Sequence, residues 1–296
     1  MRERHFRTVL LTGATGFLGS HVARALLRQH VKLYATARDS SSFARVLDIK
    51  HQIDWIGTDG HLPSRARKLE AIDCIVHCAT NYGRGEATPI STIESNLILP
   101  LQLLETTVNN GLRCFINTDT YLDKGINHYS LSKKQFAEWL ESYKERLVCI
   151  NVVLEHFYGP GDNKTKFVTW LTDQLLEEVE TIPLTAGQQR RDFIYIDDVV
   201  AGFLAIFRFA QDIDVGFHRF DVGSGTPISI RHFAELAKVM TGNSKTVLHF
   251  GAIPYRPSEV MDATIDIRAL TALGWNPTVG LTEGLSKTIA ARRTGK

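Results

Sequence analysis

Apolar residues along the first half of the chain fall in short continuous runs, at residues 8–12, 32–36, 53–56, 74–78, 113–118 and 147–154. Runs of that length, bounded by glycine or polar residues, predict strands buried on both faces. Between several of them the period changes. Leu18, Val22, Ala25 and Leu26 recur at helical spacing, and residues 89–110 and 131–143 read as helices, too long for hairpin turns. Strands alternating with helices predict an α/β fold with a parallel sheet covered on both faces. After Gly159-Pro160-Gly161 the pattern shifts to helices near 167–178 and 197–210, short strands and a Gly/Pro-rich tail. The expected division is therefore a first domain over residues 1–160 and a smaller lobe over 161–296, whose strands can return to the first domain.

Composition narrows the possibilities. With 296 residues, 44% hydrophobic and 22% charged, the chain has enough apolar material for one large core, or one core and a lobe. The formal net charge is +2 and the basic residues are scattered among acidic ones, so no nucleic-acid or membrane partner is expected. Cys74, Cys78, Cys114 and Cys149 sit in or beside strand-like runs without the paired spacing of a metal or redox site; they are expected to be buried thiols, with no metal. Residues 1–8 are basic, but the apolar run after them breaks at Gly13 and Gly16, and no cleavage site follows. A cytoplasmic protein is expected.

The segment Thr12-Gly13-Ala14-Thr15-Gly16-Phe17-Leu18-Gly19 lies between the first strand and the first helix. Gly13 suits a tight turn, Gly16 lets backbone N–H groups approach a pyrophosphate, and Gly19 permits close helix packing, which together predict a Rossmann-type dinucleotide site. The second strand ends Ala37-Arg38-Asp39-Ser40, with Arg38 where NAD-binding folds commonly place an acid. A guanidinium beside the hydroxyls of Ser40 or Ser41 suits a 2′-phosphate and points to NADP(H). The competing reading leaves Arg38 to solvent and gives the ribose to Asp39. Asp59, past the third strand, is a further candidate for the adenine end.

Tyr129 and Lys133 stand four apart at the start of a helix, on one face. A tyrosine is a weak acid, and a nearby ammonium favours its charged form, bringing it toward working pH. Such a phenol can protonate a carbonyl oxygen as hydride arrives. The pair follows a strand ending Asn117-Thr118-Asp119-Thr120, and the hydroxyl of Thr118 is placed to bind the same oxygen.

Taken in order, TGATGFLGSHV (12–22), HCAT (77–80), Asn96 within a helix, YSLSK (129–133), FYGPG (157–161), RRDFIYIDDVV (190–200) and LGW (273–275) resemble the extended short-chain dehydrogenases, the NAD-dependent epimerase/dehydratase family, over nearly the whole chain. The resemblance implies that Tyr129 is the acid/base, that Lys133 binds the nicotinamide ribose and tunes Tyr129, and that Thr118 replaces the usual Ser. It implies cofactor contacts at Thr15, Gly16, Phe17, Leu18, Ala79 and Asn96 in addition to the residues above. For a nucleotide-sugar substrate it implies contacts from Thr80, Asp119, Arg191, Arg256 and Glu259, the two arginines on the pyrophosphate. Where most members carry Asn before the YGP run this chain has His156, which is expected to face the sugar. Surface ion pairing is the alternative for Arg191, Arg256 and Glu259, and backbone bonding in the core for His156. The family often dimerises through two long helices, so a homodimer is compatible.

The departures refine this. Family dehydratases carry Thr-Asp-Glu where this chain reads Thr118-Asp119-Thr120, which removes the base for dehydration. Arg38 argues against a permanently held NAD. Segments 154–162 and 250–261, with the strand end at 117–120, most resemble 4-keto-sugar reductases of bacterial O-antigen pathways. The expected activity is NADPH-dependent reduction of the C4 keto group of a CDP- or dTDP-linked 4-keto-6-deoxy- or 3,6-dideoxyhexose. An epimerase of the same fold is the nearest alternative and a non-catalytic NADP-binding sensor the more distant one.

Overall fold

The computed structural model describes residues 5–58 and 72–294; Asp59 lies outside them. The chain divides into two compact units. One comprises residues up to Leu154 with Val200–Asp221 and Ala272–Gly274; the other comprises Glu155–Val199, Val222–Thr271 and the residues from Trp275 onward.

In chain order the strands are β1 (Thr8–Thr12), β2 (Lys32–Ala37), β3 (Asp54–Gly57), β4 (Cys74–His77), β5 (Cys114–Thr120), β6 (Val148–Leu154), β7 (His156–Tyr158), β8 (Thr181–Leu184), β9 (Arg190–Arg191), β10 (Phe193–Tyr195), β11 (Gly216–Val222), β12 (Ile228–Ser229) and β13 (Val247–Phe250). The first unit is built on a seven-stranded sheet of order β11-β6-β5-β4-β1-β2-β3. Pairing is parallel for β1 with both β2 and β4, and for β2–β3, β4–β5 and β5–β6. The doubly wound parallel sheet expected from the sequence is thus present. Chain order reverses between β1 and β4, the place where such sheets leave a crevice at their carboxyl ends. Leu10, Ile75, Phe115, Phe136, Leu140 and Cys149 pack into one buried cluster beneath it.

Two helical segments differ in detail from the pattern. Within the expected stretch 89–110 the helix runs over residues 89–107 in three parts: α2 (Pro89–Ile93), a π-turn (Glu94–Ile98) and α3 (Leu99–Thr107), after α1 (Phe17–Leu27) earlier in the chain. The next helix, α4 (His128–Glu141), starts three residues before the expected 131. Its start is fixed by Asn127, whose side chain accepts from the Ser130 N–H at 2.8 Å while the Ser130 hydroxyl accepts from the Asn127 N–H at 3.2 Å. This reciprocal cap satisfies two otherwise orphaned donors and sets Tyr129 in the first turn.

The second unit holds the parallel pairs β7–β10 and β8–β13 and the antiparallel pair β9–β12. Its core is aromatic, with the Phe193 and Phe233 rings stacked at 4.1 Å and Tyr158 edge-on to Tyr195 at 5.8 Å. Asp198 accepts from the N–H groups of Thr278 and Val279 and so fastens the chain that follows Trp275. No helix among the described residues is long and apolar enough to cross a membrane.

Candidate active site

The glycine turn lies at the reversal point. Gly13 has φ +71°, and a Cβ there would stand 2.6 Å from the Ala79 backbone nitrogen, so only glycine lets the turn after β1 meet the chain after β4. A Cβ on Gly19 would collide with the Gly13 carbonyl. The same junction is tied by side chains: the Thr12 hydroxyl lies 2.8 Å from His77 Nδ1 and accepts from the Ala79 N–H at 3.1 Å. Burial, reinforced by the Lys133 ammonium, holds the His77 imidazole well below its usual range, so it stays neutral. Helix α1 begins at Gly16 with no side-chain cap and no acidic residue in its first turn, near Thr15, Phe17 and Leu18. An uncapped helix start of this kind favours an anion.

At the tip of β2 the Arg38 N–H donates to the Ser41 hydroxyl at 3.0 Å and the Ser41 N–H to the Arg38 carbonyl at 2.9 Å. That tight turn leaves the side chains of Arg38, Asp39 and Ser40 exposed.

Lys133 is buried, 1% exposed, and its Nζ has no hydrogen-bond partner among the described residues. Burial brings the ammonium down to about 8, against the pull of Asp119. A buried ammonium without an acceptor is costly, and it stands one helical turn beyond Tyr129. The glycine turn, the uncapped helix start and this orphaned donor fit a nicotinamide dinucleotide.

Tyr129 departs from expectation. Burial, with a smaller contribution from the neighbouring Tyr82 phenol, pushes it upward, and Lys133 is not among the groups that shift it. The Tyr82 and Tyr129 rings lie 5.2 Å apart. Desolvation of the charged form outweighs the ammonium invoked from the sequence. The Thr120 hydroxyl works against that upward push by favouring the charged phenolate, and Thr120 was not singled out as a site residue from the sequence. Thr118 instead donates to the His77 carbonyl at 2.9 Å.

Asp119 is engaged within the unit. Its carboxylate accepts from the Thr120 N–H at 2.7 Å, from Asn151 at 2.9 Å and from Lys134 at 2.9 Å. Lys134 also donates to the Thr120 carbonyl at 2.5 Å, so one ammonium grips two consecutive residues of β5. Asn96 is fully buried; it accepts from the Asn81 N–H at 2.9 Å and donates to the Asn81 carbonyl at 2.8 Å and to Ser132 at 3.0 Å. It braces the loop after β4, which carries half-buried Ala79 and Thr80, against α4.

The residues offered for the nucleotide sugar's other contacts lie in the second unit. Arg191 is ion-paired with Glu259, donates to the Val260 carbonyl at 2.6 Å and to the Arg190 carbonyl at 2.7 Å, and has its Nε 3.9 Å from Glu155. Arg256 is exposed, and its carbonyl accepts from the Glu259 N–H at 3.0 Å. His156 is partly exposed, with its Nδ1 3.0 Å from the buried carboxylate of Glu155, a residue the sequence pattern did not flag.

Residues 9–223 match the NAD dependent epimerase/dehydratase family, and the chain belongs to that family. Among curated proteins it is similar to the CDP-abequose synthase of Salmonella muenchen, 32% identical with 97% of this chain and 98% of the relative covered. That of Salmonella typhimurium is 30% identical, with 94% and 96% covered. Among solved structures the fold is similar to a mutant UDP-glucuronic acid 4-epimerase from Bacillus cereus, in complex with a fluorinated UDP-sugar and NAD. The TM-score is 0.84 at 21% identity, with 98% of this chain and 100% of that one covered.

Proposed function

We propose that the chain reduces the C4 keto group of a CDP- or dTDP-linked 4-keto-6-deoxy- or 3,6-dideoxyhexose with NADPH, in the making of deoxysugars for surface polysaccharide. The observation that carries the reading is the buried, unpartnered ammonium of Lys133 one turn after Tyr129, at the reversal point of a dinucleotide-binding sheet. Similarity to CDP-abequose synthases at 30% and 32% identity supports the substrate class. Exposed Arg38 at the tip of β2 supports NADPH over NADH.

Bound at this site, the cofactor supplies the hydride. Tyr129 donates its proton to the ketone oxygen as that oxygen gains charge. The upward shift of the phenol keeps it protonated before the step, which suits reduction better than a reaction that must begin by removing a proton. Thr120 donates to the phenol oxygen as the proton leaves, and Lys133 steadies the resulting anion while binding the ribose. Thr118 turns to the substrate only by giving up its bond to the His77 carbonyl. Lys134 holds Asp119, and Thr120 stands in the position of the dehydratase Glu, which disfavours dehydration.

The test is turnover of purified protein on a CDP-linked 4-keto-6-deoxyhexose, followed by loss of the reduced-nicotinamide absorbance with NADPH and with NADH in parallel. Tyr129→Phe should lower kcat by about 10²- to 10⁴-fold while cofactor binding persists. Purification with tightly held oxidised NAD would replace this reading with the epimerase, and absence of reduction with CDP- and dTDP-linked 4-keto sugars alike would overturn it.

A further inference from the structure

Glu155 links β6 to β7, and its carboxylate is 5% exposed. One oxygen, Oε2, accepts from two backbone donors, the Asp192 N–H at 2.8 Å and the His156 N–H at 3.2 Å. The other, Oε1, lies 3.0 Å from His156 Nδ1 and 3.9 Å from Arg191 Nε. The imidazole is held from the side as well, edge-on to Phe193 at 5.4 Å, its register partner across the β7–β10 ladder. Phe193 is in turn stacked on Phe233. The ring is therefore fixed on one nitrogen and along its edge, and the His156 side chain remains 38% exposed.

We propose that Glu155 sets the tautomer of His156, keeping the proton on Nδ1 and presenting Nε2 as a bare acceptor for a hydroxyl of the bound nucleotide sugar. A carboxylate only accepts, so the neutral ring facing it places its N–H on that side and its lone pair on the other. An amide at position 156 offers a donor and an acceptor together; this histidine offers an acceptor alone. The site thus selects a ligand that brings a hydroxyl and disfavours one that presents only an ether or carbonyl oxygen there. The identity of the ligand rests on the function proposed above, whereas the tautomer does not. Glu155 is a positioning residue that acts through His156.

The two backbone N–H groups make the substitution Glu155→Gln informative. They require an acceptor on the inner side, so the amide oxygen takes that place and its NH2 faces Nδ1. The ring must then accept at Nδ1 and carry its proton on Nε2, reversing the polarity offered to the ligand. Nitrogen-15 NMR of full-length protein with labelled histidine, followed to alkaline pH until the ring signals stop moving, reads the two tautomers directly without substrate. The expected result is Nδ1–H in wild type and Nε2–H in Glu155→Gln. With a CDP-linked 4-keto-6-deoxyhexose, Glu155→Gln should raise the sugar KM about tenfold at nearly unchanged kcat and cofactor KM. The same change in a His156→Asn background should have little effect on KM. A wild-type ring protonated on Nε2, or a tautomer indifferent to Glu155→Gln, overturns the proposal. So does an equal KM increase in the His156→Asn background, which would mark a general disturbance of the β7–β10 pair. If no sugar is reduced but the tautomer reverses as described, the function fails and the device stands.

Discussion

At the carboxyl ends of β4 and β5 the first unit buries an ammonium that has no hydrogen-bond partner among the described residues, whereas the second unit buries Arg191 among Glu259, Glu155 and two carbonyls. Both clusters are polar and sheltered, yet they relate to a ligand in different ways. Lys133 destabilises the chain until an acceptor arrives, so binding relieves a cost already present. Arg191 is compensated internally, so any anion that reaches it must compete with Glu259. The first arrangement favours tight, orienting contacts; the second favours exchange.

Lys133→Met probes the contrast most strongly. Turnover should fall by about 10²-fold or more and cofactor affinity should drop, yet the variant alone should be the more stable protein. The folded chain holds this ammonium at about 8, while an unfolded lysine titrates near 10.5. The unfolded state therefore binds more protons between those values, and the contribution of Lys133 to stability rises with pH across that window. Below about 8 the penalty is fully present. Urea melts should show Lys133→Met ahead by up to about 3 kcal/mol at neutral pH, the gap closing toward pH 10.5. A variant less stable than wild type at neutral pH would break the comparison.

Lys134→Met sharpens it within the first unit. This neighbouring lysine has partners, and its loss frees the Asp119 carboxylate and the Thr120 carbonyl together. We expect kcat to fall about tenfold with KM little changed, and stability to fall by about 1–3 kcal/mol. An unchanged kcat would remove Thr120 from the phenol's support.

Glu259→Gln tests the second cluster and carries the smallest effect. With a weaker competitor for Arg191, the nucleotide sugar should bind about two- to threefold more tightly by calorimetry, at a stability loss of about 1 kcal/mol. A tenfold loss of affinity would give Glu259 a direct contact with the ligand.

Much of the fold was legible because strand runs, helix period and the Gly13 turn are local patterns. The assignment of hydroxyls was not. Thr118 and Thr120 lie two apart on β5 and share a face, so spacing alone does not tell which of them acts on Tyr129. Adjacent Lys133 and Lys134 point about 100° apart on the helix, and only the packed structure leaves the first buried without a partner among the described residues and sends the second to Asp119. Glu155 was missed for a related reason. Its partners are backbone N–H groups from Asp192 and His156 and a neighbouring ring, a combination with no spacing of its own.

The wide turn at Glu94–Ile98 has a consequence for chain length. Thr92, Asn96 and Pro100 are all buried and recur every fourth residue, and in an α-helix each such step overshoots by about 40°. The π-turn absorbs that drift, which lets a polar Asn96 face inward to hold Asn81 while Leu103 and Leu104 still reach the core. Adding one residue there would rotate everything downstream by about 100° and turn those leucines outward, whereas a single deletion lets the wide turn close to ordinary α-helix with the downstream register nearly kept. The segment should therefore accept a deletion of one residue more readily than an insertion.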